Sequence, residues 1–161
     1  MRLFGSIITF SPIVVLTIMP SLAECQELVI NKHDVDKIFG LNLAEWNAQA
    51  KQFQHPLGWE VRISPPLDTG IIAAAFDPKS GMGLSLQPLI RDGKSPPDML
   101  IVSNLFPPGM FRFSDQMKGE MEAATKADLG PAYSVHISFG RTPSPAPGFD
   151  NIDIIITQTR R

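Results

Sequence analysis

Cysteine is nearly absent. Cys25 is the only one in 161 residues, so no disulfide can close within the chain. CxxC, HExxH and GxSxG are missing too, which removes the motif-borne forms of dithiol redox, zinc-peptidase and α/β-hydrolase chemistry. The three histidines, His33, His55 and His136, lie far apart, without the spacing that gathers metal ligands. No basic block or stripe occurs. The 14 Lys+Arg are scattered among 16 Asp+Glu for a formal net charge of −2. Phosphate therefore meets no cationic footprint, which argues against nucleic acid as a partner. An acidic tail is also lacking. Beyond residue 23, no apolar run is long enough to cross a bilayer.

Turn formers, by contrast, are plentiful. Fifteen prolines and twelve glycines indicate short elements joined by stiff loops, not a helical bundle. With 43% hydrophobic and 19% charged residues the composition is that of a globular protein, and the length suits one domain.

The N-terminus reads as a secretory signal. Arg2 precedes an apolar run from Leu3 to Met19, Pro20 breaks it, and Ser21-Leu22-Ala23 offers small residues for peptidase cleavage after Ala23. Residues 1–23 are thus expected to be a signal peptide, and the protein to act outside the cytoplasm, periplasmic or secreted. An uncleaved N-terminal anchor is the other reading of the same run. Cys25 sits where a lipoprotein would be acylated, but Glu24 stands where a small residue is wanted. A free thiol is therefore the expected state of Cys25, with a lipid anchor and a link to another chain as the alternatives.

Residues 24–57 read as a helical lead-in. Cys25–Ile30 suits a short extended segment. Val35, Ile38 and Phe39 share one face of a short helix closed by Gly40. Asn42 and Glu45 have capping-box spacing, with Leu41 and Trp46 at the staple positions. The helix they open is predicted over Leu43–Gln54, stopped by His55-Pro56 and lying shallowly on the sheet.

Residues 58–161 read as the sheet-bearing core, with 24–161 folding as one unit. Trp59, Val61 and Ile63 alternate with polar residues, as in a strand with one wet face. Gly70–Phe76 is apolar throughout and suits a central strand buried on both faces, with Ile72–Phe76 as the most buried run. Asp77-Pro78-Lys79-Ser80-Gly81 predicts a hairpin loop with Lys79 and Ser80 exposed. The return strand carries Met82, Leu84 and Leu86 on one face. Gly83 and Ser85 on the other face are small enough to admit a helix or another backbone. Met99–Val102, extending towards Phe106, reads as a further strand. Ser114 is a suitable N-cap for a helix with Met117, Met121 and Ala124 on one face, ended by Gly130-Pro131. Tyr133–Phe139 and Phe149–Thr157 alternate as two last strands, joined by a proline-rich linker, Thr142–Gly148. The expected fold is α+β: a mainly antiparallel sheet of five to six strands with two or three helices packed on it.

Candidate chemistry is sparse. Gly93-Lys94-Ser95 lacks the upstream glycine of a phosphate loop, since Pro88 stands there, and Pro96-Pro97 follows in place of a helix. His33-Asp34-Val35-Asp36 offers donors, but charged residues opening a short helix are ordinarily solvated. Asp77–Gly83 has one carboxylate and is no calcium loop. His136 lies between Ser134 and Ser138, whose side chains would run parallel to it and not meet it. Glu60, Asp68, Asp77 and Asp98 sit near strand ends, where turn-forming acids gather. Trp46 and Trp59 fit core positions. No catalytic, cofactor-binding or metal residue is assigned. The proline loops at Pro65-Pro66, Pro96-Pro97, Pro107-Pro108 and Pro143–Pro147 end strands or present rigid binding surfaces.

GWEVRISPP, the FDPKSGMGLSL hairpin and the helix before the last strands give an element order that resembles the PsbP-type α/β sandwich, in pattern and in no specific motif. The resemblance implies an accessory or binding protein, not an enzyme. Independently of that likeness, the signal segment, the set of elements for one fold and the lack of a chemical constellation lead to the expectation of a small exported, non-catalytic protein binding a protein or envelope partner, without cofactor. The competing expectations are an exported hydrolase with a site assembled only in the fold, and a membrane-tethered domain.

Overall fold

The computed structural model describes residues 31–55, 57–91, 97–110, 112–140 and 148–159. The signal segment, Cys25, the Cys25–Ile30 segment, Gly93-Lys94-Ser95 and the Pro143–Pro147 linker lie outside them. The described residues form an α+β fold: three helices and one six-stranded antiparallel sheet.

Helix α1 is Lys32–Phe39 and α2 is Leu43–Ala50. Three strands follow as a meander, β1 Glu60–Ile63, β2 Ala73–Phe76 and β3 Gly83–Leu89, and then β4 Met99–Phe106. Helix α3, Asp115–Leu129, leads to β5, Tyr133–Gly140, and β6, Asp150–Gln158. The strand order is β1-β2-β3-β4-β6-β5. Since β4 and β5 both run antiparallel to β6, they are parallel to each other with β6 inserted between them. A parallel pair needs a long crossover, and α3 supplies it while packing along β5.

Local chemistry sets the helix starts. The Asn31 side chain accepts the Asp34 N–H, and Ser114 Oγ accepts the Met117 N–H. Asn42 and Glu45 complete the capping box reciprocally, at 3.0 and 2.9 Å. Helix α2 ends at Ala50, earlier than the predicted Gln54, because Gln52 and Phe53 bond back three residues in tight turns. It is also no shallow surface helix: Trp46 is only 2% exposed. Its indole Nε1 donates to the Ile71 carbonyl at 2.7 Å, and Asn47 Oδ1 accepts the Ile71 N–H at 2.9 Å. Helix α2 thereby takes both backbone groups of Ile71. This is why β2 begins at Ala73 and not at the predicted Gly70.

The core is one face of the sheet under the helices. A single cross-strand row runs Ile63, Ala73, Leu86, Val102, Ile154, Ile137 through all six strands. Beneath α3, Met117, Met121, Thr125 and Leu129 are buried; Thr125 and Leu129 extend the predicted face, while Ala124 is only half-buried. The central strands are β3 and β4, not β2 as predicted, and Val102–Phe106 is buried throughout, whereas Ile72 and Phe76 are half-exposed. Apolar runs of alanine mimic centrality, but alanine also suits a strand close to an edge, where less covers it. The hairpin after β2 forms as predicted, with Lys79 exposed, although Ser80 is half-buried against Asp77. On the opposite face the group that nestles on Gly83 is the Phe76 ring and not a helix, at 2.8 Å from where a Cβ would stand.

Candidate functional site at the β1 edge

The fold disperses the chemistry-bearing residues. His33 is exposed on α1. His55 is buried and stacks on Trp59, with centroids 4.3 Å apart and planes 12° from parallel. Its Nδ1 accepts the Leu57 N–H at 3.3 Å, and burial holds its pKa below the usual imidazole value, with the Asp77 charge pulling the other way. Asp77 in turn binds Ser80 Oγ at 2.6 Å and the Lys79 N–H at 2.9 Å, and the first of these bonds does most to hold its carboxyl below the ordinary range. Ser80 thus donates to a carboxylate that organises the turn, and is not activated by a histidine.

His136 is exposed on β5, 3.7 Å from Glu122 on α3, while Ser134 pairs with Thr157 across the strands. Of the strand-end carboxylates, Glu60 pairs with Arg62 at 3.1 Å and Asp98 with Arg91 at 2.9 Å, while Asp68 is exposed in a turn. Trp46 and Trp59 are core, as expected. Among the described residues, no group of three or more His, Cys, Asp or Glu is placed to hold a metal ion. No helix among them is long and apolar enough to cross a membrane.

Asp34 departs from expectation. It is 3% exposed, not solvated, and its Oδ2 has no hydrogen-bond partner among the described residues. Burial raises its pKa to about 6, against the lowering influence of His33, Lys37 and the Asn31 backbone. Nothing in the local sequence separates this acid from Asp36, two residues on, which is exposed and accepts from Tyr133 Oη at 2.6 Å.

The two ends of the sheet differ in a way that matters more. At the β5 end, the Ile137 N–H points outward and donates to Glu122 Oε2 at 3.2 Å. A carboxylate from α3 thus blocks the middle of that edge to an added strand. At the β1 end nothing comparable occurs among the described residues. Ser64 N–H bonds to the Ile72 carbonyl at 2.9 Å, so by antiparallel alternation Arg62 and Glu60 face β2, and Val61 and Ile63 turn their N–H and C=O groups outward. The buried row described above is 0–1% exposed from Ala73 to Ile137 but 36% exposed at Ile63. Leu57 (53%) and Leu67 (41%) flank the same strand. Three of the four exposed large hydrophobics among the described residues therefore lie on β1 or close to it in sequence, with Met110 apart from them. Open backbone groups beside exposed apolar side chains are what strand addition requires. Sequence alternation showed β1 as a strand but could not show that it lies at the end of the sheet.

No family model matches the chain, and no curated protein or solved structure matches it.

Proposed function

We propose that this is a small exported, non-catalytic protein that works outside the cytoplasm by binding a protein partner along the open edge of β1. The observation that carries the reading is the core row that stays dry across five strands and emerges at Ile63, beside outward-facing backbone groups of Val61 and Ile63. Main-chain bonds would supply affinity and the apolar side chains specificity. Export is supported by the Arg2, Leu3–Met19 and Ser21-Leu22-Ala23 pattern of the N-terminus.

Two measurements test this. Mass spectrometry of the recovered protein should find Glu24 first, and an intact Met1 would sink the export reading. Affinity capture from the native envelope should recover a partner with the wild type and lose it with Val61→Pro. That proline removes one outward N–H and is tolerated on an edge strand. Equal recovery with both chains would place the binding surface elsewhere.

A further inference from the structure

The β1 edge has a partner written into its own sequence. We propose that it pairs antiparallel with the β1 edge of a second copy of this chain, about a two-fold axis through Val61; this rests on the reading of β1 as the binding edge.

Three observations select the occupant and the register. First, an antiparallel two-fold pairing must place outward-facing residues opposite each other, which restricts the centre within β1 to one of its four residues, Glu60, Val61, Arg62 or Ile63, and not a gap between two of them. Centring on Glu60 sets two carboxylates directly opposite and centring on Arg62 two guanidinium groups, and both are repulsive. Centring on Ile63 sets Val61 against Pro65, which has no N–H to give. Centring on Val61 avoids both faults. Val61 exchanges both backbone bonds with its counterpart, Glu60 falls opposite Arg62 of the other copy in both directions, and Ile63 falls opposite Trp59.

Second, the charged pair is available. Glu60 and Arg62 lie on the same face, 59% and 66% exposed, and are joined to each other across the surface, a bond that costs little to exchange, while the Arg62 guanidinium keeps its place 5.1 Å from the centroid of the Phe76 ring. Third, β1 cannot pair head-to-tail with β5 of another copy without displacing Glu122 from the Ile137 N–H. The self-complementary edge therefore gives a closed pair. Four residues of strand bury little area, so the pair is weak and forms at high local concentration.

The test uses charge exchange on the chain as the expressing cell matures it, by sedimentation equilibrium over a concentration series. Wild type should show monomer–dimer association. Glu60→Arg alone and Arg62→Glu alone should each weaken self-association by about tenfold, because each sets like charges opposite in both directions. An equimolar mixture of the two variants should restore it, because the two arginines of one chain then face the two glutamates of the other. Restoration also shows that both variants are folded. A wild type that stays monomeric at the highest concentration, or a mixture no tighter than either variant alone, overturns the self-pairing. If Val61→Pro still abolishes capture of another protein in that case, the edge reading survives while this inference fails. If Val61→Pro alters neither association nor capture, both fail.

Discussion

Asp34 is a carboxyl held where a carboxylate is unwelcome. Its pKa is about 6 in the folded chain against 3.8 unfolded, through burial, so the folded state binds the proton more tightly. The sign follows from linkage: this group favours folding most below about pH 4, and stability falls as pH rises from there through 6. The roughly two-unit rise corresponds to at most about 3 kcal/mol lost by pH 7. Asp34→Asn keeps an oxygen that can accept from the Asn31 backbone and removes the charge. It should raise stability at pH 7.5 by about 1–3 kcal/mol and leave it unchanged near pH 3.5, as read from urea midpoints at the two pH values. An equal effect at both would mean the charge is not the cause. Gly83 makes the opposite case, where one methyl group is too many. A Cβ there would stand 2.8 Å from Phe76 Cδ1 and 3.1 Å from the Ala75 carbonyl oxygen, and the Phe76 ring is itself tied to Phe149 and Arg62. Gly83→Ala should cost about 1–3 kcal/mol of unfolding free energy, measured the same way.

Between elements, the joint that the sequence least revealed is that of α2 to the start of β2. The Ile71 peptide is held from both sides, by Trp46 through its carbonyl and by Asn47 through its N–H. Trp46→Phe strips the donor from a buried carbonyl and should cost about 1–3 kcal/mol. Asn47→Ala should cost less, because its bond is only partly buried. Both act on one residue, so the double variant should fall short of the sum; strict additivity in chemical denaturation would show that the two bonds do not share a task. Legibility follows the same boundary. Whatever depends on neighbours in sequence could be read: the capping box at Asn42 and Glu45, the Asp77–Gly81 hairpin, the Ser114 cap, the alternation that puts Ile152, Ile154 and Ile156 on one face. Whatever depends on which elements meet could not. The alanines of β2 look central until β3 and β4 are seen to take the middle of the sheet. Asp34 and Asp36 look alike until α1 docks. Val61 and Ile63 carry no sign of being on an edge, because a strand's alternation reports its faces and is silent on its flanks.

At the scale of the whole molecule, the sheet has two ends and only one is closed by a side chain among the described residues. Pairing through β1 about a two-fold axis joins two six-stranded sheets and leaves a β5 edge at each end, both blocked by Glu122 at Ile137. Closure at two copies therefore depends on a side chain far in sequence from the interface. Removing it should convert a closed pair into an open-ended one, because β5 is eight residues long and presents outward backbone groups once uncovered. Glu122→Ala is expected to form assemblies larger than dimers, seen as light scattering that rises with concentration, while Glu122→Gln should stay closed because its amide oxygen still accepts the Ile137 N–H. If the glutamine variant grows as the alanine variant does, then charge and not the bond guards the edge. Adding Val61→Pro to Glu122→Ala should halt growth at pairs joined through β5, since each copy then keeps one usable edge. Growth of the double variant beyond pairs would mean that the contacts run through surfaces other than the two edges.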